Sequence, residues 1–184
     1  MWPEERRFLY EAVRERNPVV ALEVGTWKGG GSTLHITSAL YEHGTWSARL
    51  LHTCEVDLNL FNEAVAAFEN THLRPYVNFN NKPSTVLINE LIQSGQASQL
   101  GFVFFDGPED PELNINDFKL LDPHLPVGTY FCMHDWDLGT RADGLSSTKA
   151  TLIRPYLENL PTWQILSTLT APASVGIVLA KKIA

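Results

Sequence analysis

The chain has 184 residues, of which 44% are hydrophobic and 19% are charged, and these values are typical of one soluble globular domain. Its formal net charge of −7 at pH 7 disfavours broad electrostatic binding to nucleic acid or to an anionic membrane surface. No apolar run approaches the ~20 residues of a membrane span, and the N-terminal residues lack the apolar core of a signal peptide. We therefore expect a cytoplasmic protein with one domain over residues 1–184, in which a leading helix (1–17) precedes the core (18–184).

Short runs rich in β-branched or aromatic residues alternate with longer amphipathic stretches, which is the pattern of a parallel sheet with helices on both faces. A leading helix is predicted at 3–16, because Pro3 can occupy its first turn and apolar residues recur at helical spacing. The predicted strands that follow are 19–24, 50–56, 76–80, 101–106 and 129–134. The predicted helices between them are 32–42, 58–70, 83–93 and 112–121.

The last third of the chain changes character. A predicted helix at 147–160 is followed by two strand-like runs, 163–169 and 174–180, which only residues 170–173 separate. So short a link suits an antiparallel hairpin and leaves no room for a helical crossover. The sequence therefore predicts an α/β sheet of five parallel strands with a C-terminal antiparallel hairpin, unlike dinucleotide dehydrogenases, which continue with parallel crossovers.

Ligands of open α/β sheets bind beyond the carboxyl ends of the strands, so the residues after each strand are candidates for a site. The first strand ends in EVGTWKGGGS (23–32), where Gly25 permits a tight turn and the later glycines let a ligand approach a helix N-terminus. Glu23 would face a ligand that carries positive charge. Trp27 stands where a dinucleotide fingerprint needs glycine, which disfavours a pyrophosphate ligand. The alternative is a purely structural strand-to-helix turn.

Carboxylates follow three more strands. Glu55 follows the second strand and can accept hydrogen bonds from both hydroxyls of a ribose, whereas Asp57 is a natural N-cap of the next helix. Asp106 ends the fourth strand, and the pair His134-Asp135 ends the fifth, so these side chains should converge. Neighbours in an extended strand point to opposite faces, and residues 134 and 135 can reach one site only if the strand ends there. The alternative is that the two aspartates bind substrate or cap the turns.

The E-x-G-x-x-x-G turn followed by Ser-Thr resembles the first motif of class I S-adenosylmethionine (SAM)-dependent methyltransferases, in particular small-molecule O-methyltransferases. The resemblance implies a Rossmann-like, doubly wound sheet with strand order 3-2-1-4-5-7-6. It also favours Glu55 over Asp57 at the ribose and places Ser84, in Asn81-Lys82-Pro83-Ser84, on the adenine side. The residues it places at the cofactor are Glu23, Gly25, Thr26, Trp27, Gly29, Ser32, Glu55, Ser84 and Asp106.

The acids after the fourth and fifth strands resemble the metal centre of catechol-type O-methyltransferases and of a related family with Asp-Gly and His-Asp. Matched by position, Asp106, His134 and Asp135 would be both metal ligands and catalytic residues. Two carboxylates suit Mg²⁺, while an imidazole ligand favours Mn²⁺. If His134 is not a ligand, it could be a base or orient Asp135. Catechol-type enzymes carry a general-base lysine three positions after the metal aspartate, but Glu109 stands there, so no lysine is assigned.

The expected activity is transfer of the SAM methyl group to a hydroxyl of a small-molecule acceptor, with a divalent ion as an optional aid. The alternatives are a SAM-binding module without turnover and a nucleotide-dependent oxidoreductase. Family members carry more helices before the first strand, so we expect an open acceptor site here. Loops 107–116 and 136–146 or a partner subunit, for example in a homodimer, would form its lid.

Overall fold

The computed structural model describes residues 1–42, 49–137, 139–140, 144, 146–170 and 174–184. Its α-helices are α1 (Pro3–Arg16), α2 (Ser32–Glu42), α3 (Leu58–Glu69), α4 (Ser84–Gln93), α5 (Pro111–Leu121) and α6 (Ile153–Glu158). Its strands are β1 (Val20–Val24), β2 (Leu50–Cys54), β3 (Val77–Asn80), β4 (Leu100–Phe105), β5 (Tyr130–His134), β6 (Trp163–Leu169) and β7 (Ile177–Lys182). Among the helices in these ranges, none combines the length and the hydropathy of a membrane span.

The seven strands form one sheet in the order β3-β2-β1-β4-β5-β7-β6. Strands β1 to β5 pair in parallel, and β7 lies between β5 and β6, antiparallel to both. The predicted fold class and strand order are confirmed. Strands β2 and β3 extend the sheet on one side of β1, and β4 and the later strands extend it on the other side. A topological switch point therefore lies between the parallel neighbours β1 and β4.

Alternate residues of the central strands pack on opposite faces of the sheet. Val103 and Phe105 of β4 join a core cluster with residues from α4, α5 and α6. Phe102 and Phe104 join a second cluster with residues from α1, α2 and α3. Every residue of β1 and β4 is buried, as expected for parallel strands that helices cover on both sides.

The C-terminal elements differ from the prediction in their bounds. Helix α6 covers only Ile153–Glu158 of the predicted 147–160, because Pro155 is tolerated in the first turn of a helix and would break one that began at 147. Strand β7 begins at Ile177 rather than 174, directly after Gly176, whose φ of +78° is incompatible with an extended strand. The predicted hairpin link at 170–173 lies, apart from Thr170, outside the described residues.

Candidate active site

The turns that follow β1 and β4 contact each other at the carboxyl edge of the sheet. Gly25 has a φ of +96°, and a Cβ atom there would lie 2.5 Å from the carbonyl oxygen of Asp106. A Cβ atom at Gly107 would lie 2.7 Å from Cγ1 of Val24. Glycine is therefore required at both positions by close approach, and at Gly25 also by backbone conformation. This contact places the glycine-rich turn directly beside Asp106.

Glu23 is fully buried and links three elements below this turn. Its Oε2 accepts hydrogen bonds from Thr33 of α2 at 2.7 Å and from Thr53 of β2 at 2.6 Å. Its Oε1 is buried without a hydrogen-bond partner among the described residues. Burial raises the pKa of Glu23 to about 7, although the nearby hydroxyl groups of Ser32, Thr53 and Thr33 oppose this. The residue is not part of the cavity wall described below, and its predicted contact with a charged ligand stays a prediction.

Glu55 connects the ends of β1 and β2. Its Oε2 accepts a hydrogen bond from the backbone N–H of Trp27 at 2.9 Å, and its Oε1 accepts one from the N–H of Asp57 at 3.0 Å. Asp57 caps α3 by accepting hydrogen bonds from Asn59 N–H at 2.8 Å and Leu60 N–H at 3.0 Å. The structure thus shows Asp57 as the N-cap of α3 and places Glu55 at the sheet edge. The predicted contact of Glu55 with a ribose stays a prediction. Trp27 has a φ of +48° and a side chain that faces solvent.

A cavity of about 800 Å³ runs along the carboxyl edge of the sheet, within the ~300–1,000 Å³ range of small-molecule sites. It joins the glycine-rich turn to the acids after β4 and β5. Of the predicted cofactor residues, it is lined by Gly25, Thr26, Trp27, Ser32, Glu55, Ser84 and Asp106.

Gly29, predicted at the cofactor, is not among the residues that line the cavity. A Cβ atom there would lie 3.2 Å from Phe68 and 3.3 Å from Ala64, so Gly29 packs against α3 instead. Gly30 and Gly31 line the cavity and have open space around them. The glycines that leave room for a ligand are therefore the second and third of the run, and not the first.

Ser84 lines the cavity at the N-terminus of α4, but a carboxylate already engages its hydroxyl. Ser84 Oγ donates to Asp117 Oδ2 at 2.5 Å, and Thr85 Oγ1 donates to Asp117 Oδ1 at 2.5 Å. The Ser84 oxygen can still accept a hydrogen bond, but its hydrogen is directed at α5. Ser84 can therefore meet a ligand only as an acceptor in this arrangement.

The side chains of His134 and Asp135 meet at the other end of the cavity because β5 ends at His134 and Asp135 adopts a left-handed φ of +56°. The two side chains consequently point to the same side, with His134 Nδ1 2.8 Å from Asp135 Oδ1. Asp106 Oδ1 lies 3.6 Å from the same ring nitrogen. The predicted convergence of these three residues is what the structure shows, while their functional roles stay predictions.

Lys149, which the sequence analysis left unassigned, lies between the two aspartates. Its Nζ is 2.8 Å from Asp106 Oδ1, 2.9 Å from Asp135 Oδ2 and 3.7 Å from Glu109 Oε1. Burial lowers the pKa of this lysine, but the charges and hydrogen bonds of Asp106 and Asp135 outweigh burial and raise it overall. Lys149 is therefore a buried ammonium ion and a poor candidate for a general base.

Glu5 in the first turn of α1 also reaches the site. It accepts a hydrogen bond from the backbone N–H of Trp2 at 2.7 Å and lies 3.0 Å from His134 Nε2, and Ser174 donates to its second oxygen. Burial raises the pKa of Glu5, but its hydrogen bonds with His134, Ser174 and Trp2 lower it overall. An acid three residues after a helix N-cap usually closes a capping box, and this pattern gave no signal of the contact with His134.

Carboxylate oxygens contact both ring nitrogens of His134, at 2.8 Å from Asp135 and 3.0 Å from Glu5. An ionised carboxylate only accepts hydrogen bonds, so both nitrogens donate and the ring is an imidazolium. Burial lowers the pKa of His134, but Asp106, Asp135 and Glu5 raise it to about 9. The predicted roles of base and metal ligand both need a free nitrogen lone pair, and these contacts leave none.

One ligand atom from each of Asp106, His134 and Asp135 lies within 4.8 Å of the others, so the three could surround an ion by distance alone. Their contacts do not fit a divalent cation, however. The Lys149 ammonium already bridges the two carboxylates, and a protonated imidazole does not coordinate a metal. In this arrangement the three residues do not form a site for a divalent metal.

A family model described as a methyltransferase domain matches residues 22–136, which is more than half of the chain. The chain belongs to this methyltransferase domain family, as its strand-end motifs predicted. No curated protein matches the sequence.

Solved methyltransferase structures share the fold. The O-methyltransferase from Bacillus cereus, in complex with SAH, has a TM-score of 0.79 at 19% identity, over 99% of this chain and 82% of that chain. The O-methyltransferase TomG from Streptomyces achromogenes, involved in tomaymycin synthesis and in complex with SAM, has a TM-score of 0.79 at 17% identity, over 100% of this chain and 82% of that chain. A methyltransferase from Geobacter sulfurreducens has a TM-score of 0.76 at 11% identity, over 100% and 80% of the two chains.

Proposed function

We propose that this chain transfers the methyl group of SAM to an oxygen atom of a small-molecule acceptor. The observation that carries the proposal is the cavity that joins the glycine-rich turn after β1 to the acids after β4 and β5. The family match and the O-methyltransferases of the same fold, described with SAM or SAH, support the same reaction.

The residues at the glycine-rich end fit a nucleoside with a positively charged tail. Glu55 presents a carboxylate for ribose hydroxyls, and the backbone at Gly30 and Gly31 is open to close approach. The Oε1 of Glu23, which has no hydrogen-bond partner among the described residues, adds negative potential beneath the turn whenever Glu23 is ionised. When bound, SAM supplies a sulfonium methyl carbon, which an acceptor oxygen attacks while the electron pair of the breaking C–S bond stays on sulfur.

Asp106 is the residue we assign to the acceptor. Its side chain is 23% exposed, whereas those of Asp135 and Lys149 are each 6% exposed. Within the described residues, the hydrogen bonds and ion pairs of Asp106 fall on Oδ1. Its Oδ2 can therefore accept a hydrogen bond from the acceptor hydroxyl and take up the proton as the new C–O bond forms. Holding the acceptor oxygen in line with the methyl carbon is the main contribution a protein can make to this reaction.

The acceptor end of the cavity is bounded by α1 and by the residues before β7. Met1, Trp2 and Arg6 line the cavity on one side, and Ser174 and Val175 line it close by. The N-terminal residues therefore form part of the cavity wall, whereas the sequence predicted an open acceptor site. Of the predicted lid loops, 107–116 contributes Gly107, Pro108, Glu109 and Leu113, while 138, 141–143 and 145 of loop 136–146 lie outside the described residues.

Two measurements test the proposal. Calorimetric titration with SAM, SAH and NAD should show binding of the first two and none of NAD. Methyl transfer from isotopically labelled SAM to a panel of phenols, catechols and sugar hydroxyls should then label at least one acceptor. Binding of NAD without binding of SAM or SAH would contradict the proposal. Tight SAM binding with no labelled product across the panel would favour a binding module without turnover.

A further inference from the structure

We propose that the Lys149 ammonium is a built-in cation at the position between the ends of β4 and β5, and that methyl transfer by this chain needs no divalent metal. In this assignment Lys149 is a positioning residue, which acts on the acceptor through Asp106. The predicted effect on turnover rests on the proposed function. The predicted effect on metal binding does not.

The first support is the geometry of the ammonium. Lys149 Nζ contacts one oxygen of Asp106 at 2.8 Å and one oxygen of Asp135 at 2.9 Å. These are the lengths of charge-assisted hydrogen bonds. The lysine side chain is only 6% exposed, so solvent screens the two ion pairs little. The negative charge that would attract a divalent ion is therefore already balanced by a buried cation.

The second support is how the lysine is held. The preceding residue, Thr148, donates a hydrogen bond through Oγ1 to the carbonyl oxygen of Glu109, in the loop that carries Asp106. Ser147 donates through Oγ to the carbonyl oxygen of Asp135. Ala150, on the other side, is fully buried. The segment 147–150 is thus attached to both loops that carry the aspartates, and the ammonium position is a built feature of the fold.

The third support is the state of the remaining candidate ligand. Both ring nitrogens of His134 contact carboxylate oxygens, one on Asp135 and one on Glu5. A metal ion at this position would have to displace Lys149 and break one of the contacts of His134. Removing one partner of a buried charge pair leaves an uncompensated charge, which is strongly destabilising. Binding of a metal ion would therefore disrupt the ion pairs of Lys149 and a contact of His134 together.

The consequence for the reaction follows from Asp106. Because Lys149 fixes Oδ1, the carboxylate holds Oδ2 in one orientation toward the acceptor. The acceptor oxygen forms a bond to the methyl carbon, the C–S bond breaks with its electron pair left on sulfur, and the hydroxyl proton passes to Asp106. Sulfonium and carboxylate charges are neutralised together, so no external cation is needed to balance the step.

The wild-type chain provides the first test, with Mn²⁺ as the probe. We expect electron paramagnetic resonance to show no Mn²⁺ bound per chain at submillimolar concentration, and methyl transfer to continue at the same rate in EDTA. One Mn²⁺ bound per chain and lost in Asp106→Asn would overturn the proposal, and so would a loss of turnover in EDTA. The Mn²⁺ titration requires neither SAM nor acceptor, so it remains informative even if the proposed function fails.

Variants of Lys149 provide the second test. Lys149→Met removes the cation, and we expect the variant to gain Mn²⁺ binding and to lose at least ~tenfold in kcat at a nearly unchanged KM for SAM. Lys149→Arg keeps the charge and should restore part of kcat without Mn²⁺ binding.

Lys119→Met, which removes an exposed lysine of α5, is the matched control and should leave both properties unchanged. A folded Lys149→Met with full turnover and no Mn²⁺ binding would overturn the proposal; if that variant does not fold, the wild-type titration decides.

Discussion

Glu5 and His134 are 129 positions apart in the chain and 3.0 Å apart in the structure. Glu5 is fully buried in the first turn of α1, and His134 is the last residue of β5. Through this contact the leading helix is attached to the acidic end of the cavity. The contact also fixes the second nitrogen of a ring whose first nitrogen contacts Asp135 at 2.8 Å.

Glu5→Gln should destabilise the protein by about 3 kcal/mol, because it removes one partner of a buried charge pair and leaves the imidazolium poorly compensated. Urea denaturation of variant and wild type measures this difference. Glu4→Gln, one residue earlier on the exposed side of the same turn, should change the free energy of unfolding by no more than about 0.5 kcal/mol. Equal effects of the two variants would show that the Glu5–His134 contact contributes nothing beyond surface charge.

Gly25→Ala should destabilise the protein by about 2–4 kcal/mol, the sum expected for a strained backbone and for overpacking. The reason is the φ of +96° and the Cβ position 2.5 Å from the carbonyl oxygen of Asp106. Because the turn must move, the variant should also bind SAH more weakly. Gly30→Ala, where the structure leaves open space, should change stability by less than about 1 kcal/mol. A stable Gly25→Ala would mean that the two turns are not in contact.

Substitutions of Glu55 and Asp57 should affect different properties, SAH affinity in the first case and stability in the second. Glu55→Ala should weaken SAH binding by at least ~tenfold, since hydrogen bonds to a charged group contribute about 1.5–3 kcal/mol. Asp57→Ala should cost about 1 kcal/mol of stability through loss of the α3 N-cap and leave SAH affinity nearly unchanged. Calorimetry with SAH and urea denaturation measure the two quantities. The reverse pattern would assign the ribose to Asp57.

The free energy of unfolding should depend on pH through Glu23. Burial raises the pKa of Glu23 to about 7 in the folded state, against 4.5 for a solvent-exposed glutamate in the unfolded chain. Between these values the folded state binds more protons than the unfolded state, so stability falls as pH rises through this window. Glu23→Gln removes this titration, so its stability relative to wild type should improve between pH 5 and pH 7. Urea denaturation at several pH values measures the difference, and a constant difference would contradict the assignment.

The fold was predictable because its signal is local and repeated. Apolar runs of strand length alternate with amphipathic stretches, and each candidate motif lies directly after a predicted strand. The acids Glu55, Asp106 and Asp135 could be placed at one edge because parallel strands bring their carboxyl ends together. The same reasoning predicted that β5 must end at His134, because the side chains of His134 and Asp135 can meet only where the strand ends.

The missed residues depend on tertiary contacts that no local pattern encodes. Lys149 is 43 positions from Asp106 and lies before α6. The sequence placed it inside a predicted helix at 147–160, and that prediction gave no indication of a contact with the strand ends. Glu5 fits a capping box so well that nothing suggested a second partner. The glycine run was recognised, but packing against α3 decides which glycine faces the cavity, and Phe68 and Ala64 could not be placed there beforehand.

The central claim is that one cavity holds a SAM molecule at its glycine-rich end and an acceptor at Asp106. The most direct test is Asp106→Asn, with SAH affinity measured by calorimetry and methyl transfer measured from labelled SAM. Our account predicts SAH affinity within about threefold of wild type, because the substitution preserves shape, together with a loss of at least ~100-fold in turnover, the lower end of general-base contributions. Full turnover, or a loss of SAH affinity as large as that of Glu55→Ala, would contradict it.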